Sequence, residues 1–384
     1  MNSNIFCMKQ GMRIITILYD RSGYNYSWLK PLFWAGREFK ELGYIIKLCS
    51  ISEYFPFLYK YSQGMEGEYW NDIVNKEFDI VFLAFHHSIS WLGLCDSDTR
   101  VNIVRKIKAH SNIVCWLDTA DSTGTCLFDI IPYVDVYFKK QILKNKELYT
   151  NDLYGGRLFC DFYHNYLGIE DNSLQYRYYP PTSSEYLDKI KISWNLGLSD
   201  MFASSCRRYL LLNRLSFPRW CLTDDYYNRK YDIHYRGTGN SSLVGYQRER
   251  LSKIIKDQLN LAHPDPCCKV PKSDYIKEVR QSKSILSPFG WGEVCFRDFE
   301  AFAYGATLIK PSMEHCATWP DVYIKNETYV PIEWDFSNID EIFEELNSDK
   351  YSIIAKNGQD RYKESLCSKD AKMNFAMHVI NGMP

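Results

Sequence analysis

The stretch SILSPFGWGEVCFRDFEAFAYGATLIKP, Ser284–Pro311, contains the elements of one strand, loop, helix and strand unit. Ser284–Ser287 is short and apolar enough for a buried strand, and Arg297–Tyr304 is predicted as the following helix. Gly305 suits the end of that helix, and Ala306–Ile309 is predicted as the next strand. Because strands joined through one helix run parallel in a single sheet, the stretch predicts an α/β fold.

The same alternation continues on both sides of this unit. Tyr231–Tyr235 is predicted as a strand, Arg236–Asn240 as a glycine-containing turn and Tyr246–Leu259 as an amphipathic helix. Two closing helices are predicted at Ile339–Leu346 and Tyr351–Ser365. We assign these elements to a second Rossmann-like domain, residues 223–384.

The first part of the chain, residues 1–222, repeats the pattern, and 384 residues are enough for two domains. Its predicted strands and helices are Arg13–Tyr19, Leu29–Leu42, Tyr44–Ile51, Phe78–Phe85, Val101–His110, Ile113–Leu117 and Val134–Phe138. Phe78–Phe85 is continuously apolar, which is typical of a strand buried on both faces of a parallel sheet. The expected architecture is therefore α/β, with two Rossmann-like domains facing across a cleft.

Composition excludes several classes of partner. Lys and Arg total 46 and Asp and Glu total 47, so the net charge is −1 and no nucleic-acid partner is expected. The 13 cysteines show no paired zinc-type spacing, which favours reduced thiols in the cytoplasm. The chain shows neither the apolar run of a signal peptide nor an apolar stretch of about 18–20 residues that would span a membrane. We therefore expect a cytoplasmic protein.

Polar residues follow three predicted strands of the first domain, where ligands of such sheets gather. They are Asp20–Ser22, His86–Ser88 and Asp118–Asp121. His86 is a candidate acid or base, although a buried structural histidine fits the pattern too. Asp118 and Asp121 suit capping of the following segment equally well.

The stretch Ser284–Pro311 resembles the donor-binding region of GT-B glycosyltransferases. The resemblance is to the large retaining group whose signature is two glutamates separated by seven residues, here Glu293 and Glu300, followed by Ala301 and later by Gly305. It implies that Glu300 binds the ribose hydroxyls of a nucleotide and that Glu293 lies beside the transferred sugar. The spacing alone would also fit two glutamates on one helix face.

The chemistry of the residues agrees with that resemblance. A carboxylate accepts two hydroxyl hydrogen bonds at once, as a ribose diol requires. Gly290 and Gly292 allow close approach of a ligand to the backbone, and the next helix N-terminus offers N–H groups to phosphate. Ser287, at the strand end, and Lys310 join the predicted nucleotide-binding residues.

A second predicted phosphate contact lies after the strand Tyr231–Tyr235. Arg236 and Gly237 begin the segment RGTG, and an arginine here would offset charge on the leaving phosphate. A plain turn explains the same residues. Asp232 and His234 lie on one face of the strand, as candidate acid, base or nucleophile or as a buried hydrogen-bonded pair.

Several alternatives stay open for the donor and for the reaction. His263-Pro264 resembles the His-Pro dipeptide of Kdo transferases, which implies a CMP-Kdo donor with Asp232 as nucleophile; HPDP is also a turn. Otherwise the donor is a UDP- or GDP-hexose. No Asp-x-Asp is present at the predicted site, and no metal or other cofactor is expected.

The predicted activity is glycosyl transfer, retaining in stereochemistry, in the synthesis of a bacterial surface polysaccharide. The expected partners are a nucleotide-sugar donor and a glycan or lipid-linked acceptor. A lipid-linked acceptor would bring the protein to the inner membrane as a peripheral contact. The alternatives are a UDP-sugar epimerase of the same fold and a scaffold protein without catalysis.

Overall fold

A computed structural model gives the architecture of the 384-residue chain. It describes residues 11–19, 23–50, 75–85, 96–171, 178–199, 201–202, 215–221, 223–237, 242–258, 260–266 and 268–384.

The strands of this structure, in chain order, are β1 (Arg13–Tyr19), β2 (Tyr44–Ser50), β3 (Phe78–Ala84), β4 (Ser111–Asp118), β5 (Val136–Lys139), β6 (Gln141–Leu143), β7 (Ile190–Ile192), β8 (Tyr231–His234), β9 (Ser282–Leu286), β10 (Thr307–Pro311), β11 (Cys316–Thr318) and β12 (Val330–Ile332).

The α-helices are α1 (Gly23–Trp34), α2 (Gly36–Glu41), α3 (Ser97–Ala109), α4 (Leu158–Asp161), α5 (Leu243–Asp257), α6 (Lys272–Arg280), α7 (Phe296–Ala303), α8 (Ile339–Glu344), α9 (Asp349–Cys367) and α10 (Ala371–Asn381). Shorter helical turns lie at Phe128–Tyr133, Lys146–Thr150, Tyr154–Gly156, Phe162–Tyr166, Ser184–Lys189, Leu196–Leu198 and Thr223–Asn228.

Two parallel sheets form the framework. The first has the order β2-β1-β3-β4-β5-β7 and the second has the order β12-β10-β9-β8, and every neighbouring pair of strands in both sheets is parallel. The predicted α/β class and the two Rossmann-like sheets are thus confirmed. We use "first half" for residues 11–202 and "second half" for residues 223–367.

The first sheet is buried on both faces. Ile15 and Ile17 of β1 and Ile80, Val81 and Phe82 of β3 are all inaccessible to solvent. Burial of such side chains stabilises the folded state by about 1.5–3 kcal/mol each, and helices cover both faces, as a parallel sheet requires.

Several element boundaries differ from the sequence-based expectations. The helix expected from Val101 begins at Ser97, because the side chain of Asp96 accepts a hydrogen bond from the backbone N–H of Thr99 (2.8 Å) and caps it. The single helix expected at Leu29–Leu42 is two helices, α1 and α2, separated at Ala35.

The two halves are joined by secondary structure as well as by packing. Strand β6 of the first half pairs antiparallel with β11 of the second, Gln141 opposite Thr318. The last helix, α10, returns to the first half, where the ring of Phe375 lies 5.2 Å from that of Trp194 and His378 Nε2 donates to the carbonyl of Ser193 (2.6 Å). The chain end therefore contributes to the first half.

The carboxyl ends of the two sheets face each other. The loop after β4, residues 118–125, contacts the loop after β9, residues 287–295, through hydrogen bonds between Thr123 and Glu293. Within the part of the chain that the structure describes, none of the helices combines the length and apolar character needed to cross a bilayer.

Candidate functional site

A cleft of about 500 Å³ lies between the facing strand ends, and both halves line it. The first half contributes Trp28, Asp121 and Lys140, and the second half contributes Arg248, Tyr275, Trp291, Arg297 and Glu300. A neighbouring hollow of about 570 Å³ shares Arg248, Lys272, Tyr275 and Arg297 with the cleft, so the two form one continuous depression. Its place at the carboxyl ends of parallel strands is where ligands bind in such folds.

Glu300 lines the cleft from helix α7. Its Oε2 accepts a hydrogen bond from the hydroxyl of Tyr275 (2.7 Å), and in the described residues its Oε1 accepts none. Burial raises the pKa of Glu300 above its usual value, while the Tyr275 hydrogen bond and the charge of Arg297 oppose the shift. The carboxylate therefore has capacity for a further donor from a ligand.

Several cations line the same depression without a carboxylate partner. Among the residues that the structure describes, no Asp or Glu lies within 4.0 Å of the charged groups of Arg248, Lys272 or Arg297 in an ion pair. The Nε of Arg248 is buried and has no hydrogen-bond partner within the same residues. Half-buried cations without a carboxylate partner can bind an anionic ligand.

Gly290 makes room for this guanidinium. A Cβ atom at Gly290 would lie 2.3 Å from a terminal nitrogen of Arg248. Arg297 lines the same depression, with its Cζ 5.7 Å from the ring centre of Tyr235. Gly290 was predicted to allow close ligand approach, and the structure shows that it first allows the approach of Arg248.

Arg236 was predicted to bind phosphate, but its guanidinium is already paired with Glu278. Its guanidinium forms two hydrogen bonds with Glu278 (2.6 and 2.8 Å) and also donates to the carbonyls of Asp265 and Cys268. Gly237 lines the neighbouring hollow, where a Cβ would lie 2.3 Å from the hydroxyl of Tyr235. Arg248 and Arg297, in contrast, line the depression without an ion pair to any described carboxylate.

The two strand residues predicted for catalysis do not line the cleft. His234 is fully buried with Nε2 3.4 Å from Glu278, and burial lowers its pKa to about 4, so the ring is neutral. Asp232 accepts from Lys283 (2.9 Å) and from the backbone N–H of Ala262 (3.0 Å). Within the described residues His234 is thus buried without a hydrogen bond to either ring nitrogen, and Asp232 is half-buried in contacts with Lys283 and Ala262, so the two do not form the hydrogen-bonded pair that the sequence also allowed.

His263 likewise lies outside the cleft, and its Nδ1 donates to the carbonyl of Pro264 (3.0 Å). His86, together with Asp20–Ser22, His87 and Ser88, lies outside the described residues. The structure therefore does not bring His263 to the site, and the prediction for His86 stays a prediction.

Glu293 connects the two halves. It is fully buried and accepts hydrogen bonds from the backbone and hydroxyl of Thr123 (2.9 and 2.7 Å) and from the hydroxyl of Ser122 (3.2 Å). Burial would raise the pKa of Glu293, but His315, with its Nε2 3.9 Å away, and Thr123 outweigh burial and hold the pKa at about 2. Gly292 allows this contact, because a Cβ there would lie 1.7 Å from the carbonyl oxygen of Asp121.

Glu293 and Glu300 thus have different environments. Glu293 lies in a loop before α7 and Glu300 lies within α7, so they do not share one helix face. Six residues lie between them, one fewer than in the signature that the segment resembles. The pairing of the two glutamates at one ligand, implied by the resemblance, is therefore not what the geometry shows.

Ser287 was predicted to bind the nucleotide, as was Lys310, but both lie in the interior and bind another residue of the protein. Both are fully buried and bind the carboxylate of Asp298, Lys310 at 3.1 Å. Asp298 also accepts from the hydroxyl of Tyr323 (2.8 Å) and from the backbone N–H of Cys295 (3.0 Å), which caps helix α7. Sequence reasoning missed Asp298, although an acidic residue three positions after a cap is a recognisable capping signal.

The first half presents a carboxylate and an ammonium to the cleft. Asp121 Oδ1 lies 3.0 Å from Lys140 Nζ, and the side chain of Asp121 is 48% exposed. Its loop is held by Asp118, which accepts from Lys139 (3.0 Å) and Tyr137 (2.6 Å) in the buried interior. The polar strand-end segment Asp118–Asp121 thus does reach the cleft, through Asp121.

The described residues contain no group of three or more His, Cys, Asp or Glu side chains arranged to hold a metal ion. The polar groups of the cleft are instead a carboxylate of each half and several cations. Such a set can bind a ligand that carries both hydroxyl groups and negative charge.

Comparison with models of protein families gives no match, and comparison with curated protein sequences gives none. Among solved structures, the chain is similar to an alpha-glucosyltransferase in complex with UDP and DNA, at 12% identity and a TM-score of 0.43, covering 95% of this chain and 100% of that one. It is similar to HepE of Anabaena in complex with UDP-glucose, at 10% identity and a TM-score of 0.43, covering 96% and 99%. It is also similar to the glycotransferase of kitacinnamycin, at 9% identity and a TM-score of 0.41, covering 98% of this chain and 100% of that one. Similarity at this level does not establish a shared activity.

Proposed function

We propose that this protein transfers a hexose from a nucleoside diphosphate sugar to a glycan or lipid-linked acceptor. The observation that carries the proposal is the convergence of Glu300, Arg248 and Arg297 on one cleft between the strand ends. A nucleoside diphosphate offers a diol and two phosphates on one molecule. The cleft offers a carboxylate and unpaired guanidinium groups that match them.

The nucleotide lies with its ribose on Glu300 in this proposal. The Oε1 of Glu300 is the acceptor that remains available while Tyr275 donates to Oε2. A charge-assisted hydrogen bond of this kind contributes about 1.5–3 kcal/mol. Tyr275 therefore orients the carboxylate and Glu300 receives the hydroxyl.

The cations bind the diphosphate. Arg248 presents a guanidinium with a buried, unpartnered Nε, and Arg297 and Lys272 line the same depression. Fixed positive charge in a partly desolvated cleft stabilises the negative charge that develops on the leaving diphosphate, without reorganisation during the reaction. Activity is accordingly expected to persist in EDTA, because these side chains take the role that a metal has elsewhere.

Several cations without carboxylate partners at one depression favour a diphosphate over a monophosphate leaving group. The CMP-Kdo alternative needs His263 and Asp232 at the donor, and both are engaged elsewhere, with Pro264 and with Lys283. We therefore favour a UDP- or GDP-hexose. The proposal also includes, from the sequence resemblance, retention of configuration, a role in bacterial surface polysaccharide synthesis and an inner-membrane contact. From the composition it includes a cytoplasmic location and the absence of a nucleic-acid partner.

Nucleotide binding and product analysis test the proposal together. UDP, GDP and CMP are titrated in thermal-shift measurements, because a ligand specific for the native state raises the unfolding temperature. UDP or GDP should stabilise the protein and Glu300→Ala should weaken that binding about tenfold or more, while Glu364→Ala, an exposed glutamate of α9, should not.

The products then separate the alternatives. Release of nucleotide from a nucleotide-hexose identifies a transferase, and interconversion of the hexose without release identifies an epimerase. The absence of both reactions identifies a scaffold. The anomeric configuration of the new linkage tests retention. No stabilisation by any of the three nucleotides would refute the proposed donor site.

A further inference from the structure

Two large aromatic side chains lie open on the floor of the cleft. Trp291 is 51% exposed and Phe296 is 47% exposed, and both line the cleft. Most large aromatic residues that the structure describes are buried or half-buried, so exposed ones inside a cleft that charged groups also line require an explanation. Neither is used by the nucleotide contacts proposed above.

Trp291 is held in place from the first half of the protein. Arg157 Nε donates to the backbone carbonyl of Trp291 (3.0 Å), and its Cζ lies 5.8 Å from the indole centre. The guanidinium covers one side of the indole, and about half of the side-chain surface stays open. The ring is therefore ordered before a ligand arrives, which reduces the entropy cost of binding.

The neighbours of Trp291 along the chain fix its place in the cleft. Gly290 lies directly beneath Arg248, and Gly292 lies against the carbonyl of Asp121. Trp291 therefore lies between the proposed diphosphate contacts and the first half. In the proposed donor complex the diphosphate binds Arg248, so Trp291 lies on the side of that contact from which the first half, through Asp121, can present an acceptor.

We propose that Trp291 and Phe296 form a platform on which a pyranose ring of the acceptor lies, which makes the acceptor a saccharide. This inference rests on the proposed function. The C–H face of a pyranose packs on an indole, whose large apolar area is rigid and costs little entropy to use. Asp121 and Lys140, 3.0 Å apart at the same place, supply an acceptor and a donor for its hydroxyl groups.

A nucleobase is the main competing occupant, because bases also stack on aromatic rings. The base, however, is attached to the ribose that the proposed function places on Glu300, whereas the backbone next to Trp291 contacts Asp121 of the first half. The acceptor platform and the base platform therefore predict responses to different ligands.

Fluorine NMR of the full chain labelled with 5-fluorotryptophan separates these ligands. The signal of Trp291 is assigned by its loss in Trp291→Phe, and the remaining signals of the ten tryptophans serve as internal controls. UDP is added first, followed by methyl β-D-glucopyranoside, methyl β-D-galactopyranoside and methyl α-D-mannopyranoside at about 100 mM each, a concentration suited to millimolar affinities.

The expected result is a shift of the Trp291 signal on addition of a glycoside to the UDP-bound protein, and little shift with UDP alone. Trp291→Ala should weaken glycoside binding about tenfold without changing UDP affinity, and Phe217→Ala, an equally exposed aromatic outside the cleft, should change neither. A Trp291 shift with UDP alone, or no shift with any glycoside, overturns the platform. Failure of both UDP and GDP to bind, with the nucleotide that stabilises the wild type taking the place of UDP above, instead overturns the proposed function.

Discussion

At the scale of single residues, the state of each charged group decides which of them can bind a ligand. Arg236 and Arg248 are both arginines near the second sheet, yet Arg236 is saturated by Glu278 and two carbonyls, while the buried Nε of Arg248 has no partner in the described residues. A guanidinium already paired in a bidentate way gains little from a second anion. The difference makes Arg248 the stronger candidate for the phosphate contact.

The sequence predicted which segments form the cleft better than it predicted which of their side chains are available to a ligand. Glu300, Gly290 and Gly292 lie in or beside the cleft as expected. Arg236, Ser287 and Lys310 are the expected residue types at strand ends, but each has a protein partner that only the folded chain brings near. The residue pattern of one segment does not show which hydrogen-bonding or ion-pair partners the fold brings near from about 10 to 40 residues away.

At the scale of elements, helix α7 carries the site and depends on one buried ion pair. Asp298 caps the helix through Cys295 and binds Lys310, Ser287 and Tyr323. Asp298, Lys310 and Ser287 are fully buried, and Cys295 and Tyr323 are partly buried. Such a pair is not by itself evidence of high stability, but removal of one charge is costly because the other stays buried.

Asp298→Asn should therefore destabilise the protein by about 3–5 kcal/mol, since the Lys310 ammonium loses its counter-charge in the interior. The free energy of unfolding, measured by urea titration, gives the value. Asp340→Asn, at an exposed aspartate in the first turn of α8, is the matched control and should change stability by less than about 0.5 kcal/mol. Equal effects of the two substitutions would contradict the role given to Asp298.

Element order was predictable because parallel strands and their helices have strong apolar patterns. β1, β3, β9 and α7 lie within a few residues of their expected bounds. The ribbon of β6 with β11 was not expected, because three-residue strands have no periodicity to detect and their pairing crosses the two halves. Helix α10 was missed as well, and its packing on the first half depends on contacts distant in sequence.

At the scale of the whole molecule, the two halves are joined by the ribbon, by α10 and by a buried carboxylate. Glu293 of the second half is surrounded by donors of the loop 118–125 of the first. Its pKa is held at about 2 against an ordinary 4.5, so its interactions favour the charged form in the folded state. The contact therefore makes the union of the halves sensitive to acid.

The sign of that dependence follows from the lowered pKa. The contribution of Glu293 is fully present above pH 4.5 and is lost as the pH falls towards 2, because protons then bind the unfolded state first. Between these values, wild type should lose about 1.4 kcal/mol per pH unit more than Glu293→Gln does. Urea titrations at several pH values give the two curves, with Glu364→Gln as the exposed control, and parallel curves for wild type and Glu293→Gln would refute the assignment.

The central claim is that a nucleoside diphosphate binds the unpaired guanidinium groups of the cleft. The most direct test is calorimetric titration of UDP or GDP, whichever stabilises the wild type, into Arg248→Ala and into Arg250→Ala. Arg250 lies on the same helix, α5, and is exposed, so both variants remove one positive charge from one element. Loss of a charge-assisted hydrogen bond of about 1.5–3 kcal/mol predicts at least tenfold weaker binding for Arg248→Ala and an unchanged affinity for Arg250→Ala. Equal affinities of the two variants would contradict the account.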